Sequence, residues 1–590
     1  MSQTTSERYV PVADAGDLRD GRKVVRVEGR QIAIFQLSGR YYAVDNRCPH
    51  MGYPLSQGSV KDTTLTCDWH NFKFDLDSGA CTSREGGEDV RAYGVRLEGG
   101  RILLNLAEEP VEALMAKHLK SLRFGLYLNA DGRIARDAAR LLSLGMLPAE
   151  VMREGALHSA EREEFGWGHA LAVIADCTSL GEFYHGDSIA IPVVRALTSA
   201  AEPVERYKRR QAPSPLPPDA DGEREFRRRI EDEDVDGAEA WLRGAIDAGI
   251  DDRELSRWLL NAATDHFLGF GHQMIYVFKA AQLADAIGWD TMRAVIPSIV
   301  PSIAWATRYD KLPEMRKYTR QLRAVEHTMP SLAAKQRRPR GTLDGARFRN
   351  DVLFGKGDAA FEAVHGALSA GVHVDTIARE LVLAASERML RMDAEWETSH
   401  DEKVWDEGGW LEVTHLLTHA NANRQLLRRG VTPEALRSLY HSAWFINYQK
   451  RFDRGDGARA DAGPLPEPDT RDEAELAMRY RDALRDRRIE EALGIVRAWR
   501  LAELPPDGLL SALGREATEC DDGDFISMAH VLKTSHAAIQ EHRQLESHPE
   551  AGLPLLAATR YVASPRKQNS VYDTALNAMK FVHTGAARSV

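Results

Sequence analysis

Two short segments near the amino terminus each place one cysteine beside one histidine. Cys48 and His50 lie in the first segment, and Cys67 and His70 lie in the second, after sixteen intervening residues. Two thiolates can hold one iron of a [2Fe–2S] cluster while two imidazoles hold the other, and the neutral histidines raise the reduction potential. A zinc knuckle uses the same residue types. The order Cys-x-His then Cys-x-x-His, with glycine and proline shaping the loop between, favours the iron–sulfur cluster.

The elements that must position these four residues are short β-strands. From Lys23 onward, the segments KVVRVEG, RQIAIFQLSG and RYYAVDNRC alternate apolar with polar residues and break at glycines. This pattern is typical of antiparallel strands joined by tight turns. The sequence therefore predicts a small all-β domain whose loops carry the cluster ligands.

The phrases CPHMGYPLSQG and CDWHNFKFDLDSG resemble the Rieske family over approximately Tyr9 to Leu106. Tyr53 and Trp69 stand where respiratory-complex relatives carry bridging cysteines, so the resemblance is to the ferredoxin and oxygenase branch. It implies a domain that passes single electrons from a reductase to a catalytic centre. Asn71 replaces a common glycine, and we expect altered cluster hydrogen bonding without loss of the cluster. Trp69 is a candidate to shield the cluster or to face a partner, although plain packing explains it equally well.

The residue composition and the spacing of apolar residues change after about Glu109. Apolar residues recur there at helical spacing in stretches rich in Ala, Leu, Arg and Glu, which predicts an all-α remainder. Three polar or Pro/Gly-bearing stretches divide it, at about 203–235, 327–357 and 453–474. We predict a Rieske domain at 1–108 and a helical, catalytic domain at 109–590, with repeat units at about 112–202, 236–326, 358–452 and 475–590.

An internal repeat relates these helical blocks. The 33 residues from Asp236 align with those from Asp358 at one constant offset without a gap, and looser copies begin at Ala139 and Ala492. Each unit predicts one helix, a glycine or proline turn, and a second helix. The segment after each second helix carries a histidine at a comparable place; these are His169, His272, His415 and His530.

The repeated histidines have two interpretations. If the units pack around a pseudo-symmetric centre, the imidazoles converge on one cavity, where they bind a second iron or act as acid and base. Alternatively, each histidine makes the same structural hydrogen bond in its own unit. His415 and His419 are four residues apart, so a helix would place both on one face at chelating distance. The candidates for a second metal or catalytic site are His169, His272, His415, His419 and His530.

Three histidine-containing phrases loosely resemble the questin oxidase-like family: HFLGFGHQMIYVFKA, WLEVTHLLTHANA and GDFISMAHVLKTSHAA. Named members of that family open a quinone ring of an aromatic polyketide with oxygen. The resemblance implies a helical domain that performs oxygen chemistry, with His272, His415 and His530 in the matching phrases. The Asp/Glu-x-x-His-x-x-x-x-His motif and the β-rich catalytic domain of typical Rieske oxygenases are absent from the sequence.

Composition and charge limit the classes of partner that we expect for this protein. The formal charge of −11, with 43% hydrophobic and 28% charged residues, predicts a soluble globular protein without a basic field for nucleic acid or acidic membrane. No apolar run approaches the roughly 20 residues that span a bilayer, and MSQTTSERY lacks the order of a secretory signal. We therefore expect a cytoplasmic protein. Five scattered cysteines do not resemble a disulfide framework.

Together these features favour an oxidoreductase, namely a mono- or dioxygenase acting on an organic, for example aromatic or polyketide-like, substrate. We expect a [2Fe–2S] cluster, a second iron in the helical domain, molecular oxygen, and electrons from NAD(P)H through a separate ferredoxin or flavin reductase. Electron tunnelling requires the two domains, or two subunits of a homo-oligomer, to pack closely. Two alternatives stay open: a redox-sensing or partner-binding helical-repeat protein, and a metal-free helical catalyst that uses histidine as a base.

Overall fold

The computed structural model describes residues 7–83, 88–217, 222–394, 409–520, 524–545 and 547–564. The chain forms two compact units, Met1–Leu147 and Pro148–Val590. The sequence placed a boundary near residue 108, whereas the first unit also includes the first two helices. None of the helices described is both long and apolar enough to cross a membrane.

The first unit begins with ten short strands, which confirms the predicted all-β domain. The strands are β1 (Tyr9–Asp14), β2 (Arg22–Val27), β3 (Arg30–Leu37), β4 (Arg40–Asp45), β5 (Ser59–Lys61), β6 (Thr64–Thr66), β7 (Lys73–Asp75), β8 (Ala92–Tyr93), β9 (Val95–Glu98) and β10 (Arg101–Asn105). They form three antiparallel sheets with strand orders β2-β3-β4-β8, β1-β10-β9 and β5-β6-β7. Glycines with positive φ lie in the turns between β2 and β3, between β3 and β4, and between β9 and β10.

Strand β3 lies at the centre of this domain. Its side chains alternate, so Ile32 and Ile34 pack into one apolar cluster while Ala33 and Phe35 pack into another. The second cluster also contains both cysteines of the predicted ligand set. The two ligand loops therefore rest directly on the core, where their backbone is held firmly.

Two helices, α1 (Val111–Tyr127) and α2 (Asp131–Ser143), complete the first unit. Arg140 Nη1 lies 2.6 Å from the Glu88 carboxylate, and Lys120 Nζ lies 3.0 Å from that of Asp89. Arg136 Nη1 donates to the Pro49 carbonyl oxygen at 3.1 Å. Helical periodicity predicts such helices but does not specify what they pack against; these charged contacts attach them to the β domain.

The second unit is helical throughout the part of the chain that is described. Its α-helices are α3 (Pro148–Ala160), α4 (His169–Leu180), α5 (Ala190–Ala201), α6 (Gly222–Glu231), α7 (Val235–Asp247), α8 (Asp252–Thr264), α9 (His272–Ile287), α10 (Trp289–Val295), α11 (Ile299–Ala304), α12 (Arg316–Val325), α13 (Met329–Lys335), α14 (Gly345–Phe354), α15 (Ala359–Ser369), α16 (Val374–Arg391), α17 (Trp410–Arg429), α18 (Arg437–Tyr448), α19 (Glu473–Arg485), α20 (Ile489–Leu501), α21 (Pro506–Glu519), α22 (Phe525–Gln544) and α23 (Leu553–Ala563). An all-β domain followed by an all-α region was the predicted fold class.

The repeat found in the sequence recurs as one turn geometry. Gly145, Gly249 and Gly371 follow α2, α7 and α15 with φ of 92°, 83° and 74°, and Glu503 follows α20 with φ of 52°. After each of them, the next residue's amide donates to the carbonyl oxygen five positions earlier. Such a left-handed residue ends a helix and satisfies its last carbonyl groups. A second helix follows each turn, and the histidine-bearing helix comes next.

The four repeated histidines lie on α4, α9, α17 and α22, and these four helices form a closed bundle. Each packs against two others, in the cyclic order α4, α9, α17, α22. Other helices of the second unit pack against this bundle, and α17 and α22 are buried along most of their length. The bundle brings one helix from each repeat to a common interior.

His158, on α3, makes the stability of the helical unit sensitive to acid. Its side chain is buried, and burial lowers its pKa to about 3. The histidine of the unfolded chain has a pKa near 6.5, so between the two pKa values it binds a proton that the folded chain does not bind. As the pH falls through this range, the free energy of unfolding decreases by up to about 1.4 kcal/mol per pH unit. We expect His158→Leu to reduce the change in the urea-unfolding midpoint between pH 6.5 and pH 5, with unfolding measured by circular dichroism. An unchanged slope would show that other groups dominate.

Candidate metal centres

The two cluster-binding loops share one backbone turn. The Cys48 amide donates to the Tyr53 carbonyl at 2.8 Å, and the Cys67 amide donates to the Phe72 carbonyl at 2.8 Å. In each loop the residue four positions after the cysteine donates back to the cysteine carbonyl. That residue is left-handed in both cases, with φ of 79° at Gly52 and 57° at Asn71. Asparagine tolerates this conformation better than most residues, so Asn71 preserves the turn that glycine usually provides.

The side chains of these loops meet at one place. Cys48 and Cys67 are buried, and their thiols lie close enough to interact. The His50 and His70 rings lie edge to face, with centroids 4.6 Å apart. His50 Nδ1 is buried and has no hydrogen-bond partner among the described residues. An orphaned imidazole nitrogen beside two thiols fits the donor set of a [2Fe–2S] cluster, which needs two sulfur and two nitrogen ligands.

Trp69 lies at the outer edge of this site. Its side chain is 52% exposed, and its ring centroid is 4.7 Å from that of His70 and 5.9 Å from that of Tyr53. Phe72, on the inner side, stacks on His50 at 4.6 Å. The tryptophan therefore covers a histidine ring while presenting its own face to solvent.

The second group of donors lies inside the helical bundle. The Nε2 atoms of His169 and His272 are 3.4 Å apart, those of His272 and His415 are 2.9 Å apart, and those of His415 and His530 are 3.3 Å apart. One ring nitrogen from each of the four lies within 4.8 Å of all the others. Metal–nitrogen bonds of about 2.1 Å separate adjacent ligand nitrogens by about 3 Å, so this spacing fits one ion.

The opposite ring nitrogens are held away from this centre. The Nδ1–H groups of His272, His415 and His530 donate to backbone carbonyls, namely those of Gly269 at 2.6 Å, Leu411 at 2.6 Å and Ile526 at 2.7 Å. His169 Nδ1 pairs with the Tyr276 hydroxyl at 3.3 Å. Such outer partners select the tautomer whose Nε2 lone pair points inward, as in many metal-ligating histidines.

Burial keeps these imidazoles neutral, which is the form that binds a metal. Desolvation lowers the pKa of His272 to about 3 and holds the pKa values of the other three well below the usual histidine range. The positive charge of Lys533 acts in the same direction on all four. His415 and His530 are buried, while His169 and His272 are partly accessible.

A glycine-rich loop aims His272. Gly269, Phe270 and Gly271 all have positive φ, at 44°, 56° and 87°, and α9 begins at His272 immediately after them. A Cβ on Gly271 would lie 2.5 Å from the His419 ring. Both the backbone conformation and the close approach therefore require glycine at position 271.

This loop offers a controlled test. Gly271→Ala is expected to lower metal content at the four-histidine centre, because the new methyl group must displace His419 or the start of α9. Gly249→Ala is the matched control, since Gly249 has a similar φ of 83° but nothing within 4 Å of the added Cβ. Inductively coupled plasma analysis would measure the metal. Equal metal loss in both variants would assign the effect to backbone strain alone.

His419 is not among the converging histidines. Its Nδ1 lies 3.1 Å from the Ser442 hydroxyl, and its Nε2 lies 3.4 Å from the Asn423 side-chain amide. Its ring also packs edge-on against Phe267. A residue four positions along a helix lies about 6 Å further along the axis, so His419 occupies the next layer of the bundle.

Replacing His419 should therefore leave the four-histidine centre able to bind its metal. We expect His419→Asn to retain the metal content of the parent protein within about twofold, because asparagine can still bond Ser442 and carries less bulk toward Gly271. Metal analysis after gel filtration is the measurement. A variant that folds but loses the ion entirely would make His419 a ligand.

A charged layer in the same bundle was not predicted from the sequence. Asp176 and Lys279, each seven residues after a converging histidine, form a fully buried ion pair, and His536 Nδ1 lies 3.0 Å from Lys279 Nζ and 3.2 Å from the aspartate. Lys533 is buried one turn after His530, without a hydrogen-bond partner in the described structure, and burial lowers its pKa to about 7. The spacing of seven residues, or two helical turns, from a repeated histidine is the sequence signal that could have identified Asp176 and Lys279.

The first unit has the features of a Rieske protein: two sulfur and two nitrogen donors at the tips of β loops. The family model of the Rieske [2Fe-2S] domain matches residues 8–94. The chain is 30% identical over 99 residues to the ferredoxin component of the p-cumate 2,3-dioxygenase system of Pseudomonas putida, covering 16% of this chain and 83% of that protein. Through this domain the chain belongs to the Rieske family.

Other relatives are similar over the same length. A 4beta-methylsterol monooxygenase of Methylococcus capsulatus is 40% identical over 93 residues, which cover 14% of this chain and 25% of that enzyme. Among solved structures, the ferredoxin of carbazole 1,9a-dioxygenase from Nocardioides aromaticivorans IC177 is 29% identical, with 16% of this chain and 96% of that chain covered and a TM-score of 0.16. The two curated relatives are thus a monooxygenase and the ferredoxin component of a dioxygenase system.

Proposed function

We propose that this protein is a Rieske-dependent oxygenase with a second, four-histidine metal centre. Cys48, His50, Cys67 and His70 hold a [2Fe–2S] cluster, which supplies electrons one at a time. His169, His272, His415 and His530 hold one iron, which supplies the site for oxygen chemistry on an organic substrate. Electrons reach the cluster from NAD(P)H through a separate ferredoxin or flavin reductase.

The observation that carries this proposal is the convergence of four Nε2 atoms whose opposite nitrogens are already bonded. Four histidines that served only local structure would have no reason to direct their free nitrogens at one point. Close packing of unpaired lone pairs is unfavourable unless a cation or protons occupy the space between them. A shared metal ion supplies that cation.

Other residues of the bundle prepare the site for a substrate. Phe270 lies beside His415, with ring centroids 6.2 Å apart, and packs at an interplanar angle of 47° against Tyr309, with centroids 4.4 Å apart. Tyr276, which holds His169, is buried beside His272 at 5.5 Å. These rings place aromatic surface beside His272 and His415, which would suit an aromatic or polyketide-like substrate.

The interior position of the histidine helices supports an enzyme over a partner-binding scaffold. A scaffold of repeats presents its repeated surface along a concave face. Here the four repeated helices close on one another, and the repeated histidines face inward. A redox-sensing role for the cluster alone would leave that arrangement without a purpose.

Metal and sulfide analysis of the full-length protein tests the proposal. Purified anaerobically from iron-replete cells, it should contain about three irons and two acid-labile sulfides per chain. The reduced cluster should give its electron paramagnetic resonance signal. The amount of the third iron should not vary with the content of acid-labile sulfide. Two irons with two sulfides, and no other metal at the histidines, would overturn the second centre while leaving the Rieske cluster established.

A further inference from the structure

A cleft of about 920 Å³ lies beside the cluster-binding loops, within the first unit. One wall contains His50, His70 and Phe72, and the other is formed by α1, α2 and the link between them, including Leu128 and Arg133. Small-molecule sites have volumes of roughly 300–1,000 Å³. The cleft thus has the size of a ligand site and opens directly onto both histidine ligands of the cluster.

The lining of this cleft is strongly cationic. Six basic side chains face three acidic ones. The basic residues are Arg47, Arg91, Lys117, Arg133, Arg136 and Arg140, and the acidic residues are Asp45, Glu88 and Asp89. The buried Asp137, which contacts Arg136 and Arg140, reduces this excess of three positive charges to two. These charges lie in a partly enclosed space, where water compensates them less well than at an open surface.

The three acidic groups are already engaged. The Glu88 carboxylate is paired with Arg136 at 3.2 Å and with Arg140 at 2.6 Å. Asp89 is paired with Lys120, and Asp45 accepts the hydroxyl hydrogen of Tyr93. None of these three carboxylates forms an ion pair with Arg47, Lys117 or Arg133.

Three cations form no ion pair at contact distance among the described residues: Arg47, Lys117 and Arg133, the last of which feels the Asp137 and Glu88 carboxylates only at longer range. The Arg133 guanidinium lies 5.1 Å from the Phe124 ring centroid, and its Nη1 atom is buried with no hydrogen-bond partner. A buried guanidinium nitrogen without an acceptor is costly, and a carboxylate or phosphate is its best-matched partner. The missing acceptor indicates an anionic ligand.

We propose that this cleft binds an organic anion and that its occupancy lowers the reduction potential of the Rieske cluster. Arg133, Lys117 and Arg47 hold the carboxylate or phosphate group, while Phe72 and Leu128 contact the apolar part. The inference rests on the cluster and is independent of the four-histidine centre.

The link to the potential follows from charge. Reduction adds one electron, and hence one negative charge, to the cluster, while the bound anion gains and loses nothing. The anion therefore binds the oxidised state more tightly than the reduced state. By reciprocity, saturation with the anion makes reduction harder. A tenfold difference in affinity corresponds to a shift of about 59 mV for a one-electron couple.

Redox titrations of the full-length holoprotein test this inference, with inorganic phosphate and benzoate as separate probes and chloride holding the ionic strength constant. At least one probe should lower the midpoint potential to a saturating limit. Arg133→Gln and Lys117→Gln should each weaken the apparent affinity about tenfold. Arg101→Gln, on β10, is the control, since its side chain is 70% exposed and does not line the cleft.

Isothermal titration calorimetry of the same proteins makes the outcome decisive. Saturable binding of either probe that Arg133→Gln weakens supports the site, and the identity of that probe distinguishes a carboxylate from a phosphate ligand. Absence of saturable binding by both probes, or an equal response in Arg133→Gln, overturns it. Because calorimetry does not require the cluster signal, a protein that binds the anion but lacks the cluster would refute the proposed function and not the cleft.

Discussion

Replacing His415 by alanine is expected to remove the third iron while leaving the two cluster irons in place. His415 Nε2 lies between those of His272 and His530, at 2.9 and 3.3 Å, so its loss opens the middle of the donor set. Removing even an outer partner of a metal ligand typically costs 10–100-fold in affinity. Loss of the ligand itself should cost more, so metal analysis should find less than about 0.1 third iron per chain.

The same variant separates two explanations of the repeated histidines. Retention of the ion together with loss of oxygen consumption would contradict the ligand role and favour a histidine base. His365→Ala is the matched control, because His365 is bonded to the Tyr440 hydroxyl and is outside the group of four. Circular dichroism would show that both variants retain the helical unit.

Replacing Cys67 by serine should abolish the Rieske cluster and spare the four-histidine centre. Cys67 is buried in the core of the β domain, and serine occupies nearly the same volume. Serine offers a weakly acidic hydroxyl in place of the thiolate that holds the cluster iron. We expect the visible absorbance and the reduced-state magnetic resonance signal to vanish, with about one iron per chain remaining.

Cys81→Ser provides the control for that experiment. Cys81 lies in the same domain, and its amide hydrogen is donated to Asp89, but its thiol is not part of the two ligand loops. It should keep the full cluster signal. Loss of the third iron in Cys67→Ser would mean that the two centres assemble together, contrary to their placement on separate sets of ligands.

The two candidate cluster-binding loops were predictable because the spacing of their cysteines and histidines is local. Each loop holds its cysteine and histidine two or three residues apart, and a turn of five or six residues orients both. Gly52 and Asn71 occupy the same left-handed position in the two loops. Asparagine satisfies the same requirement as glycine there, which explains why the sequence departs from its family without losing the turn.

The histidines of the helical unit were predictable only as a set of candidates. Repetition marks positions that are equivalent in each repeat, but it does not distinguish convergence from four copies of a local bond. His415 and His419 share a helix face, and helical spacing alone favours both as ligands. The bundle places one histidine of each helix at a single level, so His419 lies in the next layer with Ser442 and Asn423.

Buried charges were the least predictable feature. Lys279, Asp176 and Lys533 are charged residues in otherwise apolar helices, and such residues are usually solvated. Their burial depends on partners from three different helices. The contacts of α1 and α2 with the β domain are likewise between residues distant in the sequence.

The sequence by itself determined the Rieske loops, the change from strands to helices, and the repeat that singles out one histidine per unit, because each depends on residues close along the chain. Only the tertiary structure decided which histidines meet, which charges are buried, and which cations line the cleft beside the cluster. Those outcomes depend on how helices distant in sequence pack, and periodicity describes one helix at a time.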